Sequence, residues 1–362
     1  MSNKIKIIPI FVPHVGCKND CVFCNQKTIT GKGTVRVNSK YAIDIVEEFR
    51  KTIDENTNAE IAFFGGSFTA IDKNLQEDLL KVGKYYKDLG VVKHIRMSTR
   101  PDAITNEILN LQKKYDVDII ELGIQSLDDE VLRKSNRGHT RKDSEDASKL
   151  IKEYGFTLGH QIMPGLPGST IEKEKRTCLD SISMKPDIVR IYPTLVIRDT
   201  ELLNMFKTGL YKPLTLQEAV DITAYMYSEY MVNGINVIRI GLQNTDSIKE
   251  GADVVGGPFH SAFRQLVEQN LYLNSIKEII KDKKLKNKSI KILADNKIIS
   301  DVVGQSKTNI IKLQNMFNIK NVFFGNPNNE NSIEIYDGDI KIGSFLMSDI
   351  YKNYLNGIST GV

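Results

Sequence analysis

The chain of 362 residues has room for one large domain and a small second one. Its hydrophobic content of 41% is that of a globular protein, and no apolar run approaches the roughly 18–20 residues of a membrane span. The first residues run straight into a strand with no signal-peptide pattern, which predicts a cytoplasmic protein with no membrane partner, and the net charge of +4 points to no partner class by itself.

Residues 5–12 form a strongly apolar run, expected as a first buried strand. Cys17, Cys21 and Cys24 follow at C-x3-C-x2-C spacing, three of the four cysteines within eight residues. A cubane iron–sulfur cluster takes one thiolate per iron, so three local thiolates leave one iron open to a small chelating molecule. The alternative is a zinc site completed by His14, although zinc favours paired C-x-x-C units or cysteines combined with histidines. Such close cysteines suit a metal better than a disulfide. The fourth, Cys178, lies in an amphipathic helical pattern and reads as buried packing.

A polar, turn-rich stretch spans residues 25–31, and helical periodicity runs over 41–53. A short strand at 61–64 ends in Gly65-Gly66, followed by a helix at 74–86. The next strand is 94–97. The loop 98–102 then caps a helix at 103–114. A strand at 117–122 leads to Gly123-Ile124-Gln125-Ser126, and helices are expected around 128–134 and 142–153. After a strand at 156–163, the loop 164–170 opens a helix through Ile182, and a sixth strand covers 187–192. Strand and helix alternate six times over about 190 residues, which predicts parallel strands joined by right-handed crossovers, a partial (β/α)6 barrel. Sites in such folds are built at the C-terminal strand ends, so the cysteine loop and the loops at 65–69, 98–102, 123–126, 160–168 and 190–194 should converge on one mouth.

Among these, Gly65 and Gly66 allow a ligand to approach the backbone closely. Arg100 is placed to hold a carboxylate bidentately. Gln125 and Ser126 are small polar groups suited to ribose hydroxyls or substrate. At the fifth strand's end His160 or Gln161 faces the mouth, and a lone histidine such as His160 reads first as a satisfied core residue.

Two helices are expected over 202–234 and a strand at 236–240. The glycine-rich loop 256–264 then opens a helix, with His260 and Arg264 as candidate substrate contacts or simply a capped helix start. The lysines crowding 277–297 read as a solvated helix end and linker. We expect domains at 1–285 and 286–362, the second a small α+β domain. Its elements are a strand at 289–293, helices at 296–303 and 308–317, strands at 321–324 and 332–336, a hairpin arm at 339–345 and a last helix at 348–355. This order resembles that of a KH RNA-binding domain. Residues 303–310 resemble its G-x-x-G clamp, with Lys307 in place of the second glycine. Gly304 and Lys307 are therefore candidates for contact with a nucleic-acid backbone. The alternative is a plain α+β packing module.

The cysteine spacing resembles that of the radical S-adenosylmethionine (SAM) superfamily. That resemblance implies a [4Fe-4S] cluster on Cys17, Cys21 and Cys24, with SAM chelating the open iron and cleaved by a reducing electron to a 5′-deoxyadenosyl radical. It also implies SAM binding by Gly65, Gly66, Ser67, Arg100, Gln125, Ser126 and Gln161; Ser67 stands where the family usually has Glu. The stretches 98–104, 121–128 with 136–140, and 190–200 are similar to the radical SAM domain of the Elongator catalytic subunit, a family that modifies wobble uridine in tRNA. The similarity covers roughly residues 1–270. The Elongator subunit's acetyltransferase domain has no expected counterpart in the roughly 75 residues after Lys288. The resemblance implies an enzyme acting on RNA, with an electron donor such as ferredoxin or flavodoxin. Residues 163–168 are similar to oxygen-independent coproporphyrinogen oxidases, so a small molecule such as a tetrapyrrole is the alternative substrate. The non-enzymatic alternative is a metal-containing RNA-binding protein.

Overall fold

The structure is a computed structural model that describes residues 5–12, 17, 19–25, 37–52, 58–242, 252–327 and 329–359. His14, Lys18, residues 26–31 of the polar stretch and Ile53 of the first expected helix lie outside the described residues.

The first compact unit comprises Met1–Leu214 and Ile235–Phe259. Strands β1 (Lys6–Val12), β2 (Ala59–Gly65), β3 (His94–Thr99), β4 (Ile119–Gln125), β5 (Thr157–Ile162) and β6 (Ile188–Ile191) are neighbours in that order, all parallel. A seventh, β8 (Asn236–Ile240), joins parallel to β6, extending the expected six-stranded barrel by one strand. The result is the curled parallel sheet of a half-barrel. Helices α1 (Ser39–Arg50), α2 (Lys73–Asp88), α3 (Asn106–Lys114), α4 (Asp129–Lys134), α5 (Arg141–Glu153) and α6 (Ile171–Ser183) connect the strands. Each starts where a short polar side chain accepts a backbone N–H: Asn38, Asp72, Thr105, Asp128, Thr140 and Thr170. Those caps end the preceding loops and set where the strand-end segments can point.

Strand side chains alternate between the two faces of the sheet. Ile61, Phe63, Ile95, Met97, Ile120, Leu122, Leu158 and Ile162 are fully buried apolar residues at one parity. The other parity carries Glu60, Arg96, Glu121, Gln161 and Arg190. A two-stranded antiparallel ribbon, β7 (Val196–Ile197) with β9 (Val254–Gly256), follows the barrel, so Gly256 ends a strand rather than opening a helix-capping loop. Helix α7 (Glu201–Lys207) lies between them in the chain.

The second unit comprises Thr215–Gly234 and His260–Val362. The division expected at 285/286 falls inside it, because α8 (Leu216–Val232) and α9 (Phe263–Ile280) pack with the last helix α12 (Ile350–Ser359). Its sheet has the order β11 (Asn321–Gly325), β10 (Ser289–Leu293), β12 (Ser332–Asp337), β13 (Ile340–Leu346), with β10–β11 parallel and the other pairs antiparallel. The short α10 (Ile299–Val303) and α11 (Thr308–Phe317) sit between β10 and β11 in the chain, as the KH-like order requires. Among the described residues no helix is long and apolar enough to cross a membrane.

Candidate active site

The cysteine loop is held from three sides. The Val22 N–H donates to Ser135 O at 3.1 Å, and Val22 O accepts from the Leu202 N–H at 2.7 Å. The Val22 side chain packs with Val196, Leu202, Leu203 and Tyr211, and Phe23 and Met205 close the cluster. Asn136 Nδ2 donates to Asp20 O at 2.8 Å, and Asn25 Nδ2 to Arg198 O at 2.8 Å. Gly138 lies against the same loop at φ +72°, where a Cβ would stand 1.3 Å from Asn19 Nδ2. Only glycine gives both that backbone conformation and that approach.

Arg137 donates directly to one of the cysteine sulfurs. It is buried, its Nη1 donates to Cys21 Sγ at 3.2 Å, and its Nη2 to Gly123 O at 2.6 Å. Its guanidinium lies 6.0 Å from the Phe23 ring centroid. His139 is also buried, with Nε2 3.2 Å from Ile124 O, and burial pushes its pKa down to about 3, so it is neutral. In the sequence, residues 136–139 carry only a family resemblance. Their role in bracing the cysteine loop had no local sequence signal, because it joins positions 116 residues apart.

The ends of β2 and β3 form the opposite wall. Gly65 has φ +111°, and a Cβ there would lie 2.4 Å from Val12 O. That close register lets the Gly66 N–H donate to Val12 O at 2.9 Å. Ser67 is buried; its hydroxyl lies 2.8 Å from Thr99 Oγ1 and accepts from the Arg100 N–H at 3.1 Å. Thr69 closes the knot, 2.6 Å from Thr99 Oγ1 and donating to Ala103 O at 2.7 Å. Ser67 thus ties the second strand's loop to the third, and its backbone N–H is directed to the Cys17 thiol. Burial raises the Cys17 pKa, while that N–H, Arg100 and Arg137 favour the thiolate.

Arg100 is buried and grips Asp102 bidentately, Nε to Oδ1 and Nη2 to Oδ2, both at 2.9 Å. Its Nη1 is buried and has no hydrogen-bond partner among the described residues. A fixed guanidinium with one unused donor is what an incoming carboxylate needs. Gln125 sits at φ +65° and accepts at Oε1 from Gln161 Nε2 at 3.3 Å. The two glutamines are therefore brought together across β4 and β5. Ser126 turns away: its hydroxyl accepts from the Asp128 N–H and lies 3.3 Å from Thr177 Oγ1 on α6. His160 has the parity that faces the helices, between Ser148 Oγ at 3.0 Å and Ser181 Oγ at 2.8 Å. It is a satisfied core histidine, and burial lowers its pKa to about 3. Cys178 is fully buried.

A buried charge row crosses the sheet's inner parity. Arg96 Nε lies 2.9 Å from Glu60 Oε2 and its Nη1 3.4 Å from Glu121 Oε1. Glu121 Oε2 lies 2.5 Å from Arg190 Nε, and Arg190 Nη1 donates to Tyr192 OH at 3.2 Å. The Arg190 guanidinium sits 5.1 Å from the Phe64 ring centroid. Sequence reasoning missed this row, although charged residues inside otherwise apolar strands were a visible signal. Mutual pairing is what makes four buried charges tolerable.

The remaining candidates lie in the second unit. His260 Nδ1 accepts from the Ala262 N–H at 3.1 Å, a local turn contact. Arg264 is exposed on α9, with Nε on Glu268 Oε1 at 2.9 Å and its guanidinium 5.8 Å from the Tyr227 ring. The Gly304 Cβ position would meet Thr308 Oγ1 at 2.7 Å and the Asn309 N at 2.9 Å, so this glycine serves packing of the turn against α11. Lys307 is exposed in a left-handed conformation at φ +63°. Among the described residues no three His, Cys, Asp or Glu side chains close around a single ion.

The model described as Radical SAM superfamily matches residues 11–179, and that described as Radical_SAM C-terminal domain matches 186–272. The chain belongs to the radical SAM superfamily. Superfamily members are enzymes that bind a [4Fe-4S] cluster and SAM, and the residues present fit both groups. Three thiols share one loop, and two buried guanidiniums beside them, each with one buried donor that has no partner among the described residues, supply positive charge for an anionic cluster and a carboxylate. The chain is 32% identical over 203 residues to the tRNA uridine(34) acetyltransferase of Methanocaldococcus jannaschii, covering 51% of this chain and 38% of the relative. It is 30% identical over 199 residues to Elongator complex protein 3 of Saccharomyces cerevisiae, covering 49% and 36%. The chain thus spans little more than a third of the curated relatives it matches. The structure of the archaeal Methanocaldococcus infernus Elp3 with an N-terminal deletion matches at TM-score 0.60 and 25% identity, over 74% of this chain and 62% of that one.

Proposed function

We propose that this radical SAM enzyme modifies RNA, with tRNA as the substrate class, in the cytoplasm. The observation that carries the reading is the docking of Asn136, Arg137 and Gly138 on the cysteine loop, in a stretch that resembles the Elongator radical SAM domain. Cys17, Cys21 and Cys24 would hold the cluster. Gly65, Gly66 and the free Nη1 of Arg100 would meet the amino-acid part of SAM, with the Gln125–Gln161 pair beside it. Ser67 and Ser126 act through their neighbours, because their hydroxyls are already engaged. When bound, the two groups supply one-electron cleavage chemistry, with ferredoxin or flavodoxin as the class of reductant; the protein's part is binding, orientation and exclusion of water.

Anaerobic reconstitution with iron, sulfide, dithionite and SAM should release 5′-deoxyadenosine, and Cys21→Ala should abolish both iron loading and release. A loaded cluster with no release overturns the enzymatic reading. Modified tRNA nucleosides from a deletion strain should differ from those of its parent. Identical profiles overturn the RNA reading and favour a small-molecule substrate.

A further inference from the structure

The four-stranded sheet of the second unit has one covered face and one that is open along part of its length, Leu293, Ser332 and Glu334 on that side being buried. Ile290, Ile292, Ile333 and Ile335 are fully buried on the covered face, where Gly343 lets Ile279 of α9 approach so closely that a Cβ would stand 2.1 Å from its Cγ2. On the open face, register pairs Lys291 with Phe323 on one side and Tyr336 on the other, and Tyr336 with Lys341. The row Phe323–Lys291–Tyr336–Lys341 therefore alternates ring and cation across four strands, over about 14 Å at the usual strand spacing. Phe323 is 56% exposed. Lys291 is exposed and makes no ion pair among the described residues. Glu334 accepts from both Tyr336 OH and Lys341 Nζ at 3.0 Å, which fixes the tyrosine tip, and the tyrosine is half-buried.

Charge is unevenly placed along the chain, although the second unit as a whole, with 14 basic and 13 acidic residues, is close to neutral. Residues 281–362 contain 12 Lys and 8 Asp or Glu, against 49 basic and 45 acidic residues in the whole chain. The first 280 residues therefore carry 37 of each sign, and the entire net charge of +4 belongs to this C-terminal stretch.

We propose that this open face is a stacking surface for single-stranded RNA, with Phe323 and Tyr336 taking bases and Lys291 a phosphate. Rings two strands apart with an unpaired cation between them meet the two needs of a single strand, a π-surface and a countercharge. The choice of RNA rests on the proposed function; the surface itself rests on register, exposure and the unpaired Lys291.

The test uses the full chain and a labelled short oligoribonucleotide of mixed sequence, with the same sequence as a duplex for comparison. Phe323→Leu and Tyr336→Leu keep apolar bulk and lose the ring, so each should weaken single-strand binding about fivefold or more. Phe323→Tyr should bind as wild type. Lys291→Ala should flatten the logarithmic salt dependence by about 0.7. The rate of 5′-deoxyadenosine release without RNA should be unchanged in all four. Wild-type binding by both leucine variants, equal affinity for the duplex, or no binding by the wild-type chain each overturns the proposal. If the leucine variants lose binding while deletion leaves tRNA nucleosides unchanged, the proposed function falls and the surface stands. If nucleosides change on deletion and the leucine variants bind normally, the surface alone falls.

Discussion

Replacing Arg137 with methionine keeps much of the buried volume and removes the guanidinium. Two contacts disappear, Nη1 to Cys21 Sγ at 3.2 Å and Nη2 to Gly123 O at 2.6 Å. Each is a charge-assisted bond in a buried setting, worth about 1.5–3 kcal/mol. Part of the sulfur contact is differential, because the thiolate sulfur carries more negative charge when the centre is reduced. Taking that part as ~1 kcal/mol, loss of the donor lowers the midpoint potential by about 40 mV for one electron. Arg137→Lys should fall between, since a point charge cannot span both acceptors. The assay is an anaerobic potentiometric titration of the reconstituted protein followed by electron paramagnetic resonance, with iron content measured on the same samples. A fully loaded Arg137→Met variant with an unshifted potential would refute the reasoning and reduce Arg137 to a packing residue.

Gly138→Ala should destabilise the fold by about 1–2 kcal/mol from its left-handed backbone alone, and should also loosen the cysteine loop by displacing Asn19. Denaturant titration and iron retention check this, and wild-type values for both would remove the docking argument. Arg100→Lys gives up the bidentate grip on Asp102, and SAM affinity should fall about tenfold at unchanged iron content. Unchanged affinity measured by equilibrium binding would exclude Arg100 from the site. Glu174 is buried under the loop that follows β5, where it accepts from the Gly165 N–H at 2.7 Å, and burial raises its pKa to about 7. Its folded pKa lies above the unfolded one, so its favourable contribution is complete below the unfolded value and is lost as pH rises towards 7. Glu174→Gln should therefore gain stability over wild type between pH 5 and pH 8, by up to about 3 kcal/mol. A stability difference that does not change with pH would contradict it.

The barrel was readable because its signals are local. Apolar runs of strand length, each followed by a polar cap residue and a helical period, placed β1 to β6 and their helices within a few residues. The strand expected at 236–240 was found there, but its membership in the barrel was not visible, since nothing in Asn236–Ile240 says which strand it will pair with. The ribbon of β7 and β9 was missed for a related reason. Two residues, Val196 and Ile197, are too few to show a period, and their partners lie more than fifty residues away. Chain order groups helices α8 and α9 with the barrel, yet they pack with α12. His160 and Gln161 show the finer version: sequence offered both for the strand end, and parity decided between them. His160 faces Ser148 and Ser181 on the helices, while Gln161 meets Gln125.

By itself, the sequence determined the chemistry of the centre. C-x3-C-x2-C places three thiols on one short loop however the rest folds, because spacing along a chain survives into any structure. Tertiary structure alone decided what surrounds those thiols. Arg137 reaches Cys21 across 116 residues, Ser67 binds the Arg100 backbone across 33, and four strands bring Phe323, Lys291, Tyr336 and Lys341 into one row. Such contacts depend on strand register and helix docking, which follow from the burial of whole faces rather than from any local pattern.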